Sequence, residues 1–270
     1  MKNFSKCLAV GLFALTFATP CFAEKIVVAG STTVLPIAQK AAEVYMQKDP
    51  SADISVRGGG SGVGISSIMQ GTCDIADSSR PIKDTELEKA VTVGRDIKAH
   101  VIAMDGIAVI VNPSNGVNAL SKKQLKDIFT GKISDWADVG GTSGKIVVIS
   151  RDSSSGTFEA FGELALNKEK VRADALMQAS NQAVASTVSR TPESIGYVGL
   201  GFMKEGVKPL ELEGVLPSKE SVLTGKYALG RPLFMYTNGV PKGLAKGFID
   251  FIKSDDGQKL VDEEGYVGLK

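Results

Sequence analysis

KIVVISRDSSSGTFEAF, residues Lys145–Phe161, is the stretch whose reading decides the fold. Its first six residues have the length and β-branched content of a short buried strand, and the run from Phe158 has the look of a helix beginning. Between them lie an arginine, an acid, three consecutive serines, a glycine and a threonine. Such a junction can be a helix cap, a serine nucleophile with its neighbours, or a cradle for an anion.

Working outward, the same plan recurs. KIVVAG from Lys25 is a strand, and STTVLPIAQKAAEVYMQKDP after it is a turn and helix. Its apolar residues Val34, Ile37, Ala38, Ala41 and Tyr45 keep the 3.6-residue period, with Pro36 in the first turn and Asp49-Pro50 at the end. ADISVRGGGSG is a strand ending in glycines, GVGISSIMQG a short helix, and CDIADSSR another strand. HVIAMDGIAVIVNP, from His100 to Pro113, is the longest β-rich run. It is followed by a helical QLKDIFTG, a turn around Trp136 and Gly140-Gly141, the Lys145–Phe161 unit, a second helical block near 168–185, the strand SIGYVGLGF and the strand RPLFMYT. A helix and tail close the chain. Alternating strands and helices predict an α/β fold with largely parallel strands. Two long strands, near 105–112 and 231–237, bracket the middle block, which predicts two lobes joined by two hinge strands. The expected division is residues 25–104 plus 238–270 for lobe one and 105–237 for lobe two, each a mixed sheet flanked by helices.

Three strand-to-helix junctions then share one chemistry: Gly30-Ser31-Thr32-Thr33, Gly58-Gly59-Gly60-Ser61-Gly62, and Ser153-Ser154-Ser155-Gly156-Thr157. The first amides of a helix lack intrahelical partners and point outward, and hydroxyls beside them add donors. Carboxyl ends of parallel strands open toward one crevice, where such junctions can meet. A cap needs one hydroxyl and contributes about 0.5–2 kcal/mol. These junctions supply runs of them, with glycines that let a ligand reach the backbone. A small anion with several oxygens fits that donor set. Arg151 offers a planar fork for two oxygens at once, and Arg80 is a second candidate cation. Each charge-assisted hydrogen bond contributes about 1.5–3 kcal/mol, so a handful offsets the desolvation of a buried dianion.

The alternatives are weaker on chemistry. A serine nucleophile needs a base, and His100, the sole histidine, lies in a β-run read as buried and remote in sequence; no S-x-x-K falls at these junctions. GGTSGK, Gly140–Lys145, lacks the spacer of a phosphate loop and places Ile146 where a hydroxyl should meet magnesium, while GGGSGVG fails the dinucleotide register. One histidine and one cysteine beyond the leader give no transition-metal site, and no cofactor is expected.

The chain of 270 residues is 43% hydrophobic and 23% charged, an ordinary globular composition. Its start is different. Lys2 and Lys6 precede an apolar run from Leu8 to Ala18, then Pro20, Cys21, Phe22 and Ala23: the anatomy of a signal peptide over residues 1–23, with Glu24 beginning the mature chain. Cys21 raises a lipoprotein reading, which Pro20 disfavours because a small residue other than proline normally precedes a lipidated cysteine. The expected location is therefore the periplasm. Removing Lys2 and Lys6 from 31 basic residues leaves 29 against 30 acidic ones, a net charge of −1, which gives no attraction for nucleic acid or anionic membrane. Cys73 then stands alone, without an intramolecular disulfide partner.

With these residues in view, the chain resembles the phosphate-binding proteins of ABC-type phosphate importers, a type II periplasmic binding protein family. The likeness rests on GSTTVLP (30–36), GGGSGVGI (58–65), CDIADSSRPI (73–82), DGIAVIVNP (105–113), LSKKQLKDIFTGKISDW (120–136), SRDSSSGTFEAF (150–161) and ESIGYVGLGF (193–202), in that order and spacing. It implies two lobes closing on one dehydrated phosphate. Mapped by motif, Ser31, Thr32 and Thr33 would donate from the first helix start, Ser61 and Gly62 from the second, and Arg151, Ser155, Gly156 and Thr157 from the third. Ser79 and Arg80 fall where some members carry an aspartate that accepts the phosphate's proton. Phosphate keeps a proton that sulfate lacks, so an acceptor carboxylate discriminates between them. Asp77, two residues before Ser79 on a strand, is the expected substitute. The implied partners are inorganic phosphate, membrane permease subunits and their cytoplasmic ATPase, with a monomeric receptor and no enzymatic activity. The alternatives are another tetrahedral oxyanion (sulfate, molybdate or tungstate), a phosphoesterase, or a phosphate-responsive signalling protein.

Overall fold

A computed structural model describes residues 24–269, so the expected signal segment lies outside the described residues. The chain runs β1 (Glu24–Gly30), α1 (Leu35–Lys48), β2 (Ala52–Gly58), α2 (Ser61–Gln70), β3 (Ile75–Ser78), α3 (Asp84–Thr92) and the long β4 (Ile97–Val111). It continues through β5 (Ala119–Leu120), α4 (Lys122–Thr130), β6 (Val147–Arg151), α5 (Gly156–Leu164), β7 (Leu176–Gln178), α6 (Asn181–Arg190), β8 (Ser194–Gly199), β9 (Lys208–Pro209), β10 (Glu211–Leu212) and α7 (Lys219–Leu223). It returns by β11 (Gly230–Asn238) and ends with α8 (Gly243–Lys253) and α9 (Asp255–Glu263).

Among the described residues, one sheet runs through both halves in the order β2-β1-β3-β11-β4-β8-β6-β7, with β9 added to β4. The β1–β2, β1–β3, β6–β7 and β6–β8 pairs are parallel, while β11 and β4 are antiparallel to their neighbours. The two antiparallel strands are the hinge. Residues 97–103 of β4 pair with β11 in one lobe, and Ile107–Val111 pair with β8 in the other. Every residue from Ile107 to Val111 is buried, as expected of a strand covered on both faces.

The cores separate the lobes. Ile37, Ala38 and Ala41 of α1 pack with Ile26, Val28, Ile75, Leu233, Met235 and Phe248 in lobe one. Ile107, Val109, Leu125, Phe129, Phe161 and Tyr197 pack together in lobe two. Leu233 and Met235 thus sit in the lobe-one core, and Phe234–Tyr236 pair with β3. The return crossing therefore lies near Arg231–Leu233 and not at 238; residues 233–237 belong to lobe one because β11 seals that sheet. The helix expected near 168–185 also begins later. Asn167 and Lys168 take left-handed backbone angles, φ 51° and 66°, the short β7 follows, and Ser180 caps α6 by accepting from Ala183 N–H. No helix among the described residues is long and apolar enough to cross a membrane.

Candidate functional site

The three junctions converge. Gly30, at φ 142°, ends β1 so close to β3 that a Cβ would lie 2.2 Å from the Asp77 carbonyl, which leaves only glycine there. Ser31 follows, donating its amide to that carbonyl at 2.9 Å, while its Oγ accepts from Thr33 N–H at 3.1 Å. Ser31 thus orders the turn before α1, and its own hydroxyl hydrogen is left to donate. Gly59 and Gly60, with φ 149° and 99°, turn β2 into α2, and Ser61 Oγ accepts the Ser79 amide at 3.0 Å. Ser155 caps α5 by accepting from Phe158 N–H at 3.2 Å. Gly156, the first residue of α5, faces lobe one so tightly that a Cβ would meet Ser61 Oγ at 2.2 Å and Ser79 Oγ at 2.9 Å.

The lobes are closed on one another at this point. Thr33 Oγ1 of lobe one lies 2.9 Å from Thr157 Oγ1 of lobe two. Gly62 N–H donates to the Ser154 carbonyl at 2.9 Å, and Ser154 Oγ donates to the Gly59 carbonyl at 3.0 Å. Ser31, Thr32, Thr33, Ser61, Ser79, Ser155 and Thr157 are all buried.

Arg151 is 1% exposed at the end of β6. Its backbone amide donates to Tyr197 Oη, which also bonds Ser150 Oγ at 2.8 Å, and the Tyr197 ring stacks on Phe161 at 4.0 Å. The core of lobe two therefore holds this strand end in place. Nε and Nη2 donate to the Gln178 and Ala179 carbonyls at 3.0 and 3.1 Å. No carboxylate ion-pairs with Arg151 among the described residues, and burial pulls its guanidinium down from its ordinary value. It remains a cation, since arginine does not lose its proton in proteins.

Two expected ligand groups have other work. The Gly62 amide closes the lobes, as above. Arg80 pairs with both oxygens of Glu86, at 2.7 and 2.8 Å, and with Glu159 of α5 at 2.8 Å. Lys83 joins Glu159 at 2.7 Å, so the cluster is an inter-lobe clasp. A guanidinium held by two carboxylates has lost the fork that an anion would need.

Asp77 is 1% exposed, and neither carboxyl oxygen has a hydrogen-bond partner among the described residues. It lies on the same face of β3 as Ile75, opposite Met235 of β11. Burial pushes its carboxyl well above the ordinary range. Three residues that the sequence reading missed complete the site. Arg231 of β11 grips Asp105 of β4 with Nε and Nη2 at 3.0 and 2.8 Å, and donates from Nη1 to the Ser79 carbonyl at 3.0 Å and from Nη2 to Thr157 Oγ1 at 3.0 Å. Burial pushes the Asp105 carboxyl up, opposed by the Arg231 fork and the Leu200 N–H that donates to it at 2.9 Å. Asn181 opens α6 and donates to Thr32 and Thr33. A signal for the first two was present: a charged residue inside an apolar strand, as in MDGIAVIV and GRPLFMY, needs a buried partner.

The remaining candidates are structural. His100, half-buried rather than buried, bonds Thr237 Oγ1 at 2.9 Å in lobe one. The GGTSGK segment is a turn ordered by Asp135, which accepts from Gly144 N–H and Ser143 Oγ. Burial pushes the Cys73 thiol up to about 12.

Two α/β lobes on a pair of crossing strands, with helix starts facing each other over the gap, define a bilobal solute-binding protein. A family model described as the PBP superfamily domain matches residues 16–256. The phosphate-binding protein PstS of Bacillus subtilis (strain 168) is 37% identical over 247 residues, covering 90% of this chain and 80% of its own. A Clostridium perfringens protein assigned as a phosphate ABC transporter substrate-binding protein, solved with bound phosphate, superposes with a TM-score of 0.86 at 32% identity over 92% of this chain and 100% of that one. An ABC-type phosphate transport receptor from Vibrio cholerae gives 0.74 at 32% identity, over 90% and 99%. The chain belongs to the PstS family of phosphate-binding proteins, which are substrate-binding components and not enzymes.

Proposed function

We propose that this chain captures inorganic phosphate between its lobes and delivers it to the permease subunits of an ABC importer, powered by their cytoplasmic ATPase. It acts as a monomeric receptor in the periplasm once residues 1–23 are removed. The observation that carries the reading is the convergence of three helix starts beside Arg151, a buried guanidinium that forms no ion pair with a carboxylate among the described residues. An anion must supply that charge, and a tetrahedral one can take donors from both lobes at once. The binding groups in this reading are Ser31, Thr32, Thr33, Ser61, Ser79, Arg151, Ser155, Gly156 and Thr157. Gly62 and Arg80 act on closure instead.

Calorimetry with phosphate, arsenate, sulfate and molybdate, paired with solution scattering, tests the proposal. Phosphate is expected to bind tightly with a contraction of the molecule. A protein that ignores phosphate, or binds it with unchanged scattering, would sink it. A second oxyanion has one consideration in its favour: Ser79 falls where the resemblance implies an aspartate in some family members, and the carboxyl of Asp77, expected to substitute, is raised in pKa by burial and has no hydrogen-bond partner among the described residues. Asp77→Asn separates the two cases. A fall in phosphate-over-sulfate preference assigns the proton acceptor to Asp77, and an unchanged preference removes it from that role.

A further inference from the structure

A hinge has to let two lobes part, yet something must hold them together while the ligand is carried. The two crossing strands contain both kinds of part. Gly230 faces Gly106 in the β11–β4 register and Arg231 faces Asp105, so two residues without side chains to obstruct bending adjoin a buried ion pair. We propose that Arg231, fixed by Asp105, is a positioning residue that latches the lobes shut from the hinge and thereby sets how long the ligand is retained. The assignment rests on the phosphate-binding reading above.

The latch is one planar fork with three anchors. Arg231 Nε and Nη2 donate to Asp105 Oδ2 at 3.0 and 2.8 Å, while Asp105 Oδ1 accepts the Leu200 amide at 2.9 Å, which holds the pair at the crossing point. Nη1 donates to the Ser79 carbonyl in lobe one at 3.0 Å, and Nη2 donates to Thr157 Oγ1 in lobe two at 3.0 Å. Thr33 Oγ1 lies farther from Nη2, at 3.4 Å, beyond the usual range. A guanidinium can only donate, so these contacts need nothing from the threonine hydrogens.

Ser79 and Thr157 both belong to the binding set, and they sit in opposite lobes. A fork held by Asp105 cannot follow both, so parting of the lobes breaks at least one of its two outer contacts. The broken contact is a charge-assisted hydrogen bond from a side chain 4% exposed, anchored on a fully buried carboxyl. Opening exchanges it for water at a net loss, which opposes opening. The clasp of Arg80, Glu159 and Lys83 works at the rim instead, where Lys83 is half exposed and salt screens its charge. The Asp105–Arg231 pair is shielded from salt by its burial.

Arg231→Lys keeps a cation on Asp105 but replaces the fork with a single ammonium, which cannot span Ser79 and Thr157. Stopped-flow kinetics and calorimetry with phosphate read the outcome. The variant is expected to bind phosphate roughly tenfold to a hundredfold more weakly. That loss should appear as faster release, with the association rate near the parental one, and should persist at high salt. A cycle with Thr157→Val identifies the lobe-two anchor: Arg231→Lys should cost clearly less in the Thr157→Val background than in the parent. A residue that only stabilises the fold would lower the melting temperature and leave the release rate parental; that result overturns the assignment, and so does an additive cycle. Should Arg231→Lys fail to fold, a crystal structure of the parent grown without phosphate decides the question. Arg231 is expected to remain on Asp105 with its contact to Ser79 or Thr157 broken. A form that has opened while keeping both contacts overturns the latch, and one that stays closed overturns the hinge motion on which it rests. A parent that does not bind phosphate overturns the functional reading itself, whereas a parent that binds while Arg231→Lys releases phosphate at the parental rate overturns only this assignment.

Discussion

Adding one methyl group at Gly156 separates closure of the lobes from folding of either lobe. Gly156 is the first residue of α5 in lobe two, with no positive φ, so alanine suits its backbone. The obstacle lies wholly in the other lobe: the new Cβ would stand 2.2 Å from Ser61 Oγ, 2.9 Å from Ser61 Cβ and 2.9 Å from Ser79 Oγ. Ordinary contact needs about 3.5 Å, so the lobes must part by about 1 Å. Rotating Ser61 is not a free escape, because its Oγ accepts the Ser79 amide and its Cβ is also too close. A 1 Å parting takes the Gly62–Ser154 and Thr33–Thr157 hydrogen bonds, both 2.9 Å, past useful length. It also pulls the α5 amides away from a ligand seated on lobe one. Two ordinary hydrogen bonds at about 1 kcal/mol each and one charge-assisted bond at about 1.5–3 kcal/mol give a loss of about 3–5 kcal/mol. The dissociation constant for phosphate should rise roughly a hundredfold to a few thousandfold. Calorimetry measures that loss, and a thermal melt without phosphate should stay at or above the parental temperature. Parental affinity in Gly156→Ala would show that the lobes do not meet around the ligand as described.

Three further outcomes are expected. Because burial raises the folded-state pKa of Asp77 above its unfolded value of about 3.9, the native state holds a proton that the unfolded state releases; its contribution to stability is greatest at low pH and declines as pH rises toward the folded pKa. Denaturant titrations of the parent and Asp77→Asn should therefore diverge with rising pH, the variant gaining relative to the parent, and parallel profiles would contradict a raised pKa for Asp77. Glu159→Gln keeps the shape of the inter-lobe clasp but removes its charge; Arg80 retains Glu86, so the loss should be about 1 kcal/mol, seen as a few-fold faster phosphate release in stopped-flow and shrinking at high salt. Arg151→Lys replaces a fork that bonds two carbonyls with a single flexible ammonium and should weaken phosphate binding about tenfold or more at near-parental melting temperature; unchanged affinity would place the guanidinium outside the site.

The class of fold, the hinge strands and the three hydroxyl-rich helix starts were legible in the chain because each depends on local rules. Strand period, helix period, glycine at forced backbone angles and small residues at helix starts are written within a few residues of one another, and Gly30, Gly60 and Ser155 play those parts. Residues 168–180 misled because an apolar pattern without its caps does not say where a helix begins; the left-handed turn at Asn167–Lys168 and the Ser180 cap decided it. What only the tertiary structure decided is pairing across distance. Arg80 and Arg151 look alike in sequence, yet Glu86 and Glu159 neutralise one while the other meets only carbonyls. Asp105, Asn181 and Arg231 are separated by tens of residues and share no motif, and they matter because the middle of β4 and the first residues of α6 and β11 come together beside Thr33. A charge or an amide takes its role from whatever neutralises or orients it, and that partner is chosen by packing rather than by the residues next in line.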